Sequence, residues 1–324
     1  MLKEKLQLAR ELSWQHHGRE VTFYLPGMFR LDGLKGRYPA ISITGSECAF
    51  SCEHCQGLIL NSMHQVWTPE ILLQKCHNLK KNGSQGVLIS GGCNDQGYLP
   101  WKKFADTLRR IKSETGLFVS VHVGFPNQEQ AALLKDCAVD QALIDVIGDN
   151  DTLHRVYHAP FGTERIRDSL LALYKAGLPI VPHIVCGLHY GQIRGEYQAL
   201  QMVFEFTPEQ LSIVSLMNLA QTPMHSVQPP PAESVAEIIA SARMLLPKAR
   251  LSLGCARPRG DHRLEELALE AGVNRLALPS PEAQEKASAL GLNIRYQQTC
   301  CSVSRDLSAS FWPFSCKDKI AVNS

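Results

Sequence analysis

At 324 residues, 44% hydrophobic and 20% charged, the chain has the composition of a globular protein able to bury one large core or two ordinary ones. A formal net charge of +2 offers none of the strongly basic surface that nucleic acid or anionic lipid would need, so neither is expected as a partner. No apolar run is long enough to span a bilayer, and the start, MLKEKLQLARELSWQ, lacks the apolar core of a signal peptide. A reducing, cytoplasmic setting follows as the expectation, in which eleven cysteines point to metal or catalysis more than to disulfides.

In chain order, Leu2, Leu6, Ala9 and Leu12 recur near helical spacing and Gly18 supplies a stop, which predicts a leading helix. A loop-rich approach, VTFYLPGMFRLDGLKGR, follows, with room for short strands. The first core strand is expected at about 38 to 44, and the stretches 86–92, 117–124, 141–149, 179–187, 210–217, 250–258 and 274–280 repeat its short, apolar, branched character. Such continuous runs suit parallel strands buried on both faces.

Helical patterns alternate with these strands. Thr68-Pro69-Glu70, Thr207-Pro208-Glu209 and Ser280-Pro281-Glu282 each combine an N-cap oxygen, a proline and an early carboxylate. Gly83, Gly116, Gly177, Gly272 and Gly291 are placed to close helices in the left-handed conformation. Eight strand–helix units are the arithmetic of a (β/α)8 TIM-like barrel of the α/β class, with a doubly wound open sheet as the alternative. The expected organisation is an N-terminal helix and approach (1–36), the barrel (37–280), and a last helix with a cysteine-containing extension (281–324), its end partly disordered from about Lys317.

The chemistry concentrates in SITGSECAFSCEHCQG, directly after the first core strand, where Cys48, Cys52 and Cys55 have the spacing C-x3-C-x2-C. Three thiolates suit an iron–sulfur cluster. A cubane cluster bound by three cysteines keeps one iron open to a small molecule. Zinc held by three thiolates and an imidazole is the other reading, although His54 adjoins Cys55 and would struggle to close a tetrahedron with it. Cys76 and Cys137 sit in helical patterns where a thiol packs as a small apolar group.

This loop resembles the signature of the radical S-adenosylmethionine (SAM) superfamily. The resemblance implies a [4Fe-4S] cluster on Cys48, Cys52 and Cys55, SAM chelated at the open iron, and reductive cleavage of SAM to a 5′-deoxyadenosyl radical. It also favours the barrel and implies an electron donor such as ferredoxin or flavodoxin. Gly91 and Gly92 match the glycines of the family's GGE segment, which contacts SAM's amino group, whereas Cys93 replaces its glutamate. His54 stands where relatives carry an aromatic that touches the adenine. Gly187 and Gly191 are similar to the glycines that pack backbone against the adenine, with a plain tight turn as the alternative. Asp145 and Asp149 are candidates for the ribose hydroxyls, Asp149 being equally suited to capping the following helix. Arg257, with Arg259 nearby, is placed to bind a carboxylate or to form a surface ion pair.

Cys93, Cys186 and Cys255 end predicted strands, and Cys300-Cys301 follow the barrel, which makes these five the candidate ligands of an auxiliary iron–sulfur cluster. The segments HIVCGLHYGQIRGE, LGCARPRG and TCCSV, taken with the motifs above, resemble the two-component lipoyl synthases within the sulfur-inserting branch shared with biotin synthase. What this implies is sulfur insertion into a protein-bound octanoyl chain, with an octanoylated carrier protein or small acyl compound as substrate and a second radical SAM subunit as partner. A biotin-synthase-like mutase or lyase without sulfur insertion is the alternative enzyme, and a zinc-binding scaffold the non-enzymatic one.

Overall fold

A computed structural model describes residues 1–31, 33–260 and 262–307. The part of the extension after residue 307, with its expected disorder from Lys317, lies outside the described residues. The chain opens with α1 (Leu2–His17), β1 (Glu20–Tyr24), the pair β2 (Arg30–Leu31) and β3 (Leu34–Lys35), and β4 (Ala40–Ser42). The cysteine loop, a 3-10 turn (Leu58–Ser62) and β5 (His64–Gln65) come next. Alternation then sets in: α2 (Pro69–Lys81), β6 (Gly86–Ser90), α3 (Trp101–Thr115), β7 (Phe118–His122), α4 (Gln128–Asp136) and β8 (Gln141–Asp145). It continues through α5 (Asn150–Arg155), α6 (Thr163–Lys175), β9 (Ile180–Cys186), α7 (Glu196–Phe204), β10 (Gln210–Ser215) and α8 (Ala232–Leu245). The last elements are β11 (Arg250–Leu253), α9 (His262–Glu270), β12 (Arg275–Ala277), α10 (Pro281–Ala289) and β13 (Asn293–Gln297).

Each of the eight core strands expected from the sequence is present, as β4 and β6 to β12. They belong to one eleven-stranded sheet of order β13-β1-β12-β11-β10-β9-β8-β7-β6-β4-β5. Its pairings are all parallel. The expected TIM-like barrel is present as a curled parallel sheet, a half-barrel whose ladder runs from β13 to β5 among the described residues.

What the sheet curls around is its own C-terminal extension. Gln141 of β8 donates to the Ser302 carbonyl at 2.6 Å and accepts from the Ser304 amide at 2.8 Å. Gln210 of β10 donates to the Cys301 carbonyl at 2.8 Å, as does Arg275 of β12 at 3.2 Å. His183 of β9 meets the Ser302 hydroxyl at 3.0 Å. An irregular segment has no ladder to satisfy its backbone, so buried glutamine and arginine side chains from separate strands supply the partners.

Local signals mostly hold. Thr68 and Ser280 accept from the Ile71 and Ala283 amides and cap α2 and α10, and the five helix-closing glycines all have positive φ. Thr207-Pro208-Glu209 is a correction: Thr207 has φ of 40°, and the motif links the end of α7 to the buried strand β10 rather than starting a helix. Strand burial overrides the capping signal there. Among the described residues, no helix is long and apolar enough to cross a membrane.

Candidate active site

The cysteine loop leaves the C-terminal end of β4 and is shaped before any ligand is considered. The Ser42 hydroxyl donates to the Gly45 carbonyl at 2.6 Å, and the Cys52 carbonyl accepts from the Cys55 and Gln56 amides at 3.0 and 2.8 Å. From outside, the Glu53 amide donates to the Val156 carbonyl at 2.9 Å, and the Phe50 carbonyl lies 3.1 Å from His158 Nδ1. The loop is thereby pinned to the segment after α5.

Cys48, Cys52 and Cys55 face a cavity of about 230 Å3 that is also lined by His54, Gly91 and Gly92. Their thiols are electronically unequal. Cys55 is lowered to about 4, mainly because it accepts the Cys52 thiol proton, with His54 assisting, while that donation and burial push Cys52 up. Cys48 is lowered to about 6 by a hydrogen bond from the Cys93 thiol, and Cys93 is raised in turn. Depressed thiol pKa values mark sulfurs ready to ligate as thiolates.

Cys52 Sγ, a His54 ring nitrogen and Cys55 Sγ all lie within 4.8 Å of one another. His54 Nδ1 is buried without a hydrogen-bond partner, beside the Tyr157 ring at 5.3 Å. An orphaned buried nitrogen, three convergent thiols and a roomy cavity fit a resident group larger than water. The donor set suits the cluster expected from the sequence, with one iron left over.

Gly91 and Gly92 form the cavity edge opposite the loop. The Gly92 amide donates to Thr44 Oγ1 at 2.7 Å. A Cβ built on Gly92 would lie 2.0 Å from the Glu47 carbonyl oxygen and 2.5 Å from Cys48 Cβ, so only glycine lets β6 approach the loop this closely.

Asp145, at the end of β8, lines the same cavity and faces His122 Nε2 at 3.5 Å. Burial raises the Asp145 carboxyl, but the His122 charge and hydrogen bond outweigh it and hold the pKa below the usual range. His122 is raised, because Asp145 overcomes its own desolvation. Sequence reasoning missed His122; a polar residue ending the apolar run FVSVH was the available signal.

The other sequence-derived candidates lie away from this cavity. Asp149 caps α5, accepting from the Thr152 amide at 2.8 Å and hydroxyl at 2.7 Å, and pairs with Arg194 at 3.3 Å. Gly187 and Gly191 have φ of 77° and 82° and turn the loop after β9 against Pro230 and Gln228. Arg257 is 1% exposed and spent on Glu265 and the Gly254 and Leu278 carbonyls. Arg259 donates to the Cys255 carbonyl at 2.9 Å.

The five auxiliary candidates separate into three places. Cys93 joins the loop thiols, and Cys186 is fully buried in the core, with burial and Glu196 pushing its thiol up. Cys255, Cys300 and Cys301 gather around Tyr24 and Ala277 at the strand ends. There Cys300 is lowered to about 7 by the Cys301 thiol it accepts from, and Cys255 is pushed up to about 11 by burial and Cys300. Of the five candidates, from which some were expected to ligate a second cluster, Cys255, Cys300 and Cys301 lie together, whereas Cys186 packs as an apolar core residue and Cys93 sits with the loop.

Comparison with known proteins agrees with this geometry. The profile of the radical SAM superfamily matches residues 42–195. Biotin synthase of Nitrosopumilus maritimus (strain SCM1) is 23% identical over 283 residues, covering 84% of this chain and 80% of the relative. Biotin synthase of Pseudoalteromonas atlantica (strain T6c / ATCC BAA-1087) is 24% identical over 279 residues, covering 79% and 73%. The fold is similar to the crystal structure of methylornithine synthase (PylB), with a TM-score of 0.65 at 15% identity and coverage of 92% and 90%.

Proposed function

We propose that the chain is a radical SAM enzyme, the family whose profile matches residues 42–195, and that it inserts sulfur into an octanoyl chain carried by a protein. When bound, a [4Fe-4S] cluster with SAM supplies the electron that splits SAM to methionine and the 5′-deoxyadenosyl radical that takes a hydrogen atom from the substrate. Cys48, Cys52 and Cys55 hold that cluster. Gly91 and Gly92 leave room for the methionine end of SAM, and Asp145, kept ionised by His122, accepts from the ribose hydroxyls. Phe50, Phe125 and Tyr157 give the cavity largely apolar walls that keep water from a reactive carbon centre.

The observation that carries sulfur insertion is the second thiol group. Cys255, Cys300 and Cys301 come from β11 and from the extension inside the sheet, 45 residues apart in sequence, yet pack together. Core packing alone does not require three thiols in one place. The reading assigns them a second cluster that is consumed as the sulfur donor. Cys255, Cys300 and Cys301 would hold that cluster, and it would supply the sulfide that replaces each hydrogen atom removed from carbon and take up the electron released. The electron enters from ferredoxin or flavodoxin, and a second radical SAM subunit completes the two-sulfur product. The names of the biotin synthase relatives support sulfur insertion as a class.

The test is anaerobic turnover with an octanoylated carrier protein, SAM and reductant, with and without the partner subunit. The expected result is 5′-deoxyadenosine together with sulfur on the acyl chain, limited to about one insertion per protein. A Cys255/Cys300/Cys301→Ala variant should still cleave SAM but give no sulfur product. Many turnovers with sulfur-free product would contradict this function and establish the mutase or lyase reading.

A further inference from the structure

The cavity has one thiol more than the three-cysteine loop supplies. Cys93, half-buried just past β6, lines it together with Cys48, Cys52 and Cys55. Its carbonyl accepts from the Ala49 amide at 2.8 Å, which ties the loop to the residue that follows the two glycines. It shares both that cavity and the adjoining groove with Cys48.

Cys93 also differs from the cysteines that serve as packing. Cys76, Cys137 and Cys186 are each 0% exposed, whereas Cys93 borders both the cavity and an adjoining groove of about 980 Å3. A sulfur at the mouth of a thiol-lined cavity, reachable by solvent from the other side, is placed for chemistry. The packing around Gly92 keeps it there, since a single added Cβ would collide with Cys48.

A cubane cluster has four irons, and the three loop cysteines account for three of them. We propose that Cys93 is an exchangeable fourth ligand: its thiolate binds the remaining iron while SAM is absent and yields that iron when SAM arrives. The inference rests on the reading of the loop as a cluster site. In the exchange the iron–sulfur bond to Cys93 breaks with both electrons on sulfur, and the amino and carboxylate groups of SAM bond to the iron. The freed thiolate takes up the proton that SAM's ammonium group must lose to bond the iron, so no oxidant or reductant is needed. The four-thiolate state shields the open iron between turnovers, and the displaced thiol explains how a cysteine can stand at this position beside bound SAM.

The decisive measurements compare anaerobically reconstituted wild type with Cys93→Ala and Cys93→Ser, reading iron content, iron loss to a chelator without SAM, and SAM affinity by equilibrium dialysis. Competition predicts that Cys93→Ala binds SAM at least threefold more tightly than wild type. It also predicts that the variant loses iron to chelator several-fold faster, and that saturating SAM abolishes this difference. Cys93→Ser should lie between the two. Equal or weaker SAM binding by Cys93→Ala, with chelator resistance unchanged, would overturn the inference and leave the cluster reading intact. Wild type that takes up no iron would overturn both.

Discussion

Gly92 shows that part of the site depends on what a residue lacks. Its hydrogen-for-methyl economy lets β6 pass within contact of the Glu47 carbonyl and Cys48. Gly92→Ala must therefore push the cysteine loop away rather than unfold the sheet. The expected outcome is a thermal midpoint within a few degrees of wild type and at least a twofold loss of bound iron from the loop site, read by calorimetry and iron analysis. Residue identity made the loop legible, because thiols at C-x3-C-x2-C have few other uses and glycines at 91 and 92 announce a close approach. His122 was illegible because its partner Asp145 is 23 positions away, and only neighbouring parallel strands bring them to 3.5 Å. Arg257 shows the opposite failure. It has the chemistry of a ligand-binding residue, but its burial against Glu265 is a tertiary fact. Removing it strands a buried carboxylate, so Arg257→Ala should cost about 3–5 kcal/mol in denaturant unfolding, more than its neighbour Arg259→Ala.

Among the elements, α1 packs against α8 and α9 and is held by polar contacts that set a pH dependence. The Ser13 hydroxyl donates to the Gly272 carbonyl at 2.7 Å, and the Arg243 guanidinium, fully buried, reaches His17 Nε2 at 3.2 Å as well as the Pro247, Ala249 and Gly272 carbonyls. His17 therefore accepts in its neutral form; burial first, then the Arg243 charge, lowers it from 6.5 to about 4. Between those values the unfolded chain binds the proton and the folded one does not, so stability is full above about pH 6.5 and declines as pH falls toward 4. His17→Gln should flatten part of that decline in thermal midpoints measured from pH 7 to 4.5. The leading helix was legible from its apolar spacing, whereas its anchoring was not, because Arg243, in a helix that also carries Glu233 and Glu237, has no local signal of its burial. Thr207-Pro208-Glu209 misled for a related reason: a capping motif needs a helix to follow, and the buried strand β10 follows instead.

For the whole molecule, the eight-fold strand count was readable and the closure was not. Periodicity reports that a strand is buried on both faces, but says nothing of which strands meet at the seam. The extra strands β1 and β13 extend the sheet beyond β12, β1 pairing with β12 and β13 with β1, and the extension after β13 passes inside the curve, held by Gln141, Gln210 and Arg275. These are polar residues at strand starts that would ordinarily read as surface. The path of the extension is also what delivers Cys300 and Cys301 to Cys255, so fold and proposed chemistry share one feature. The most direct measurement is iron and acid-labile sulfide, with EPR of the reduced protein, for anaerobically reconstituted wild type beside a Cys48/Cys52/Cys55→Ala variant. The account predicts roughly eight irons in wild type and roughly four in the variant, one cubane lost and one kept. Roughly four falling to none would contradict the second cluster, and with it sulfur insertion by this chain.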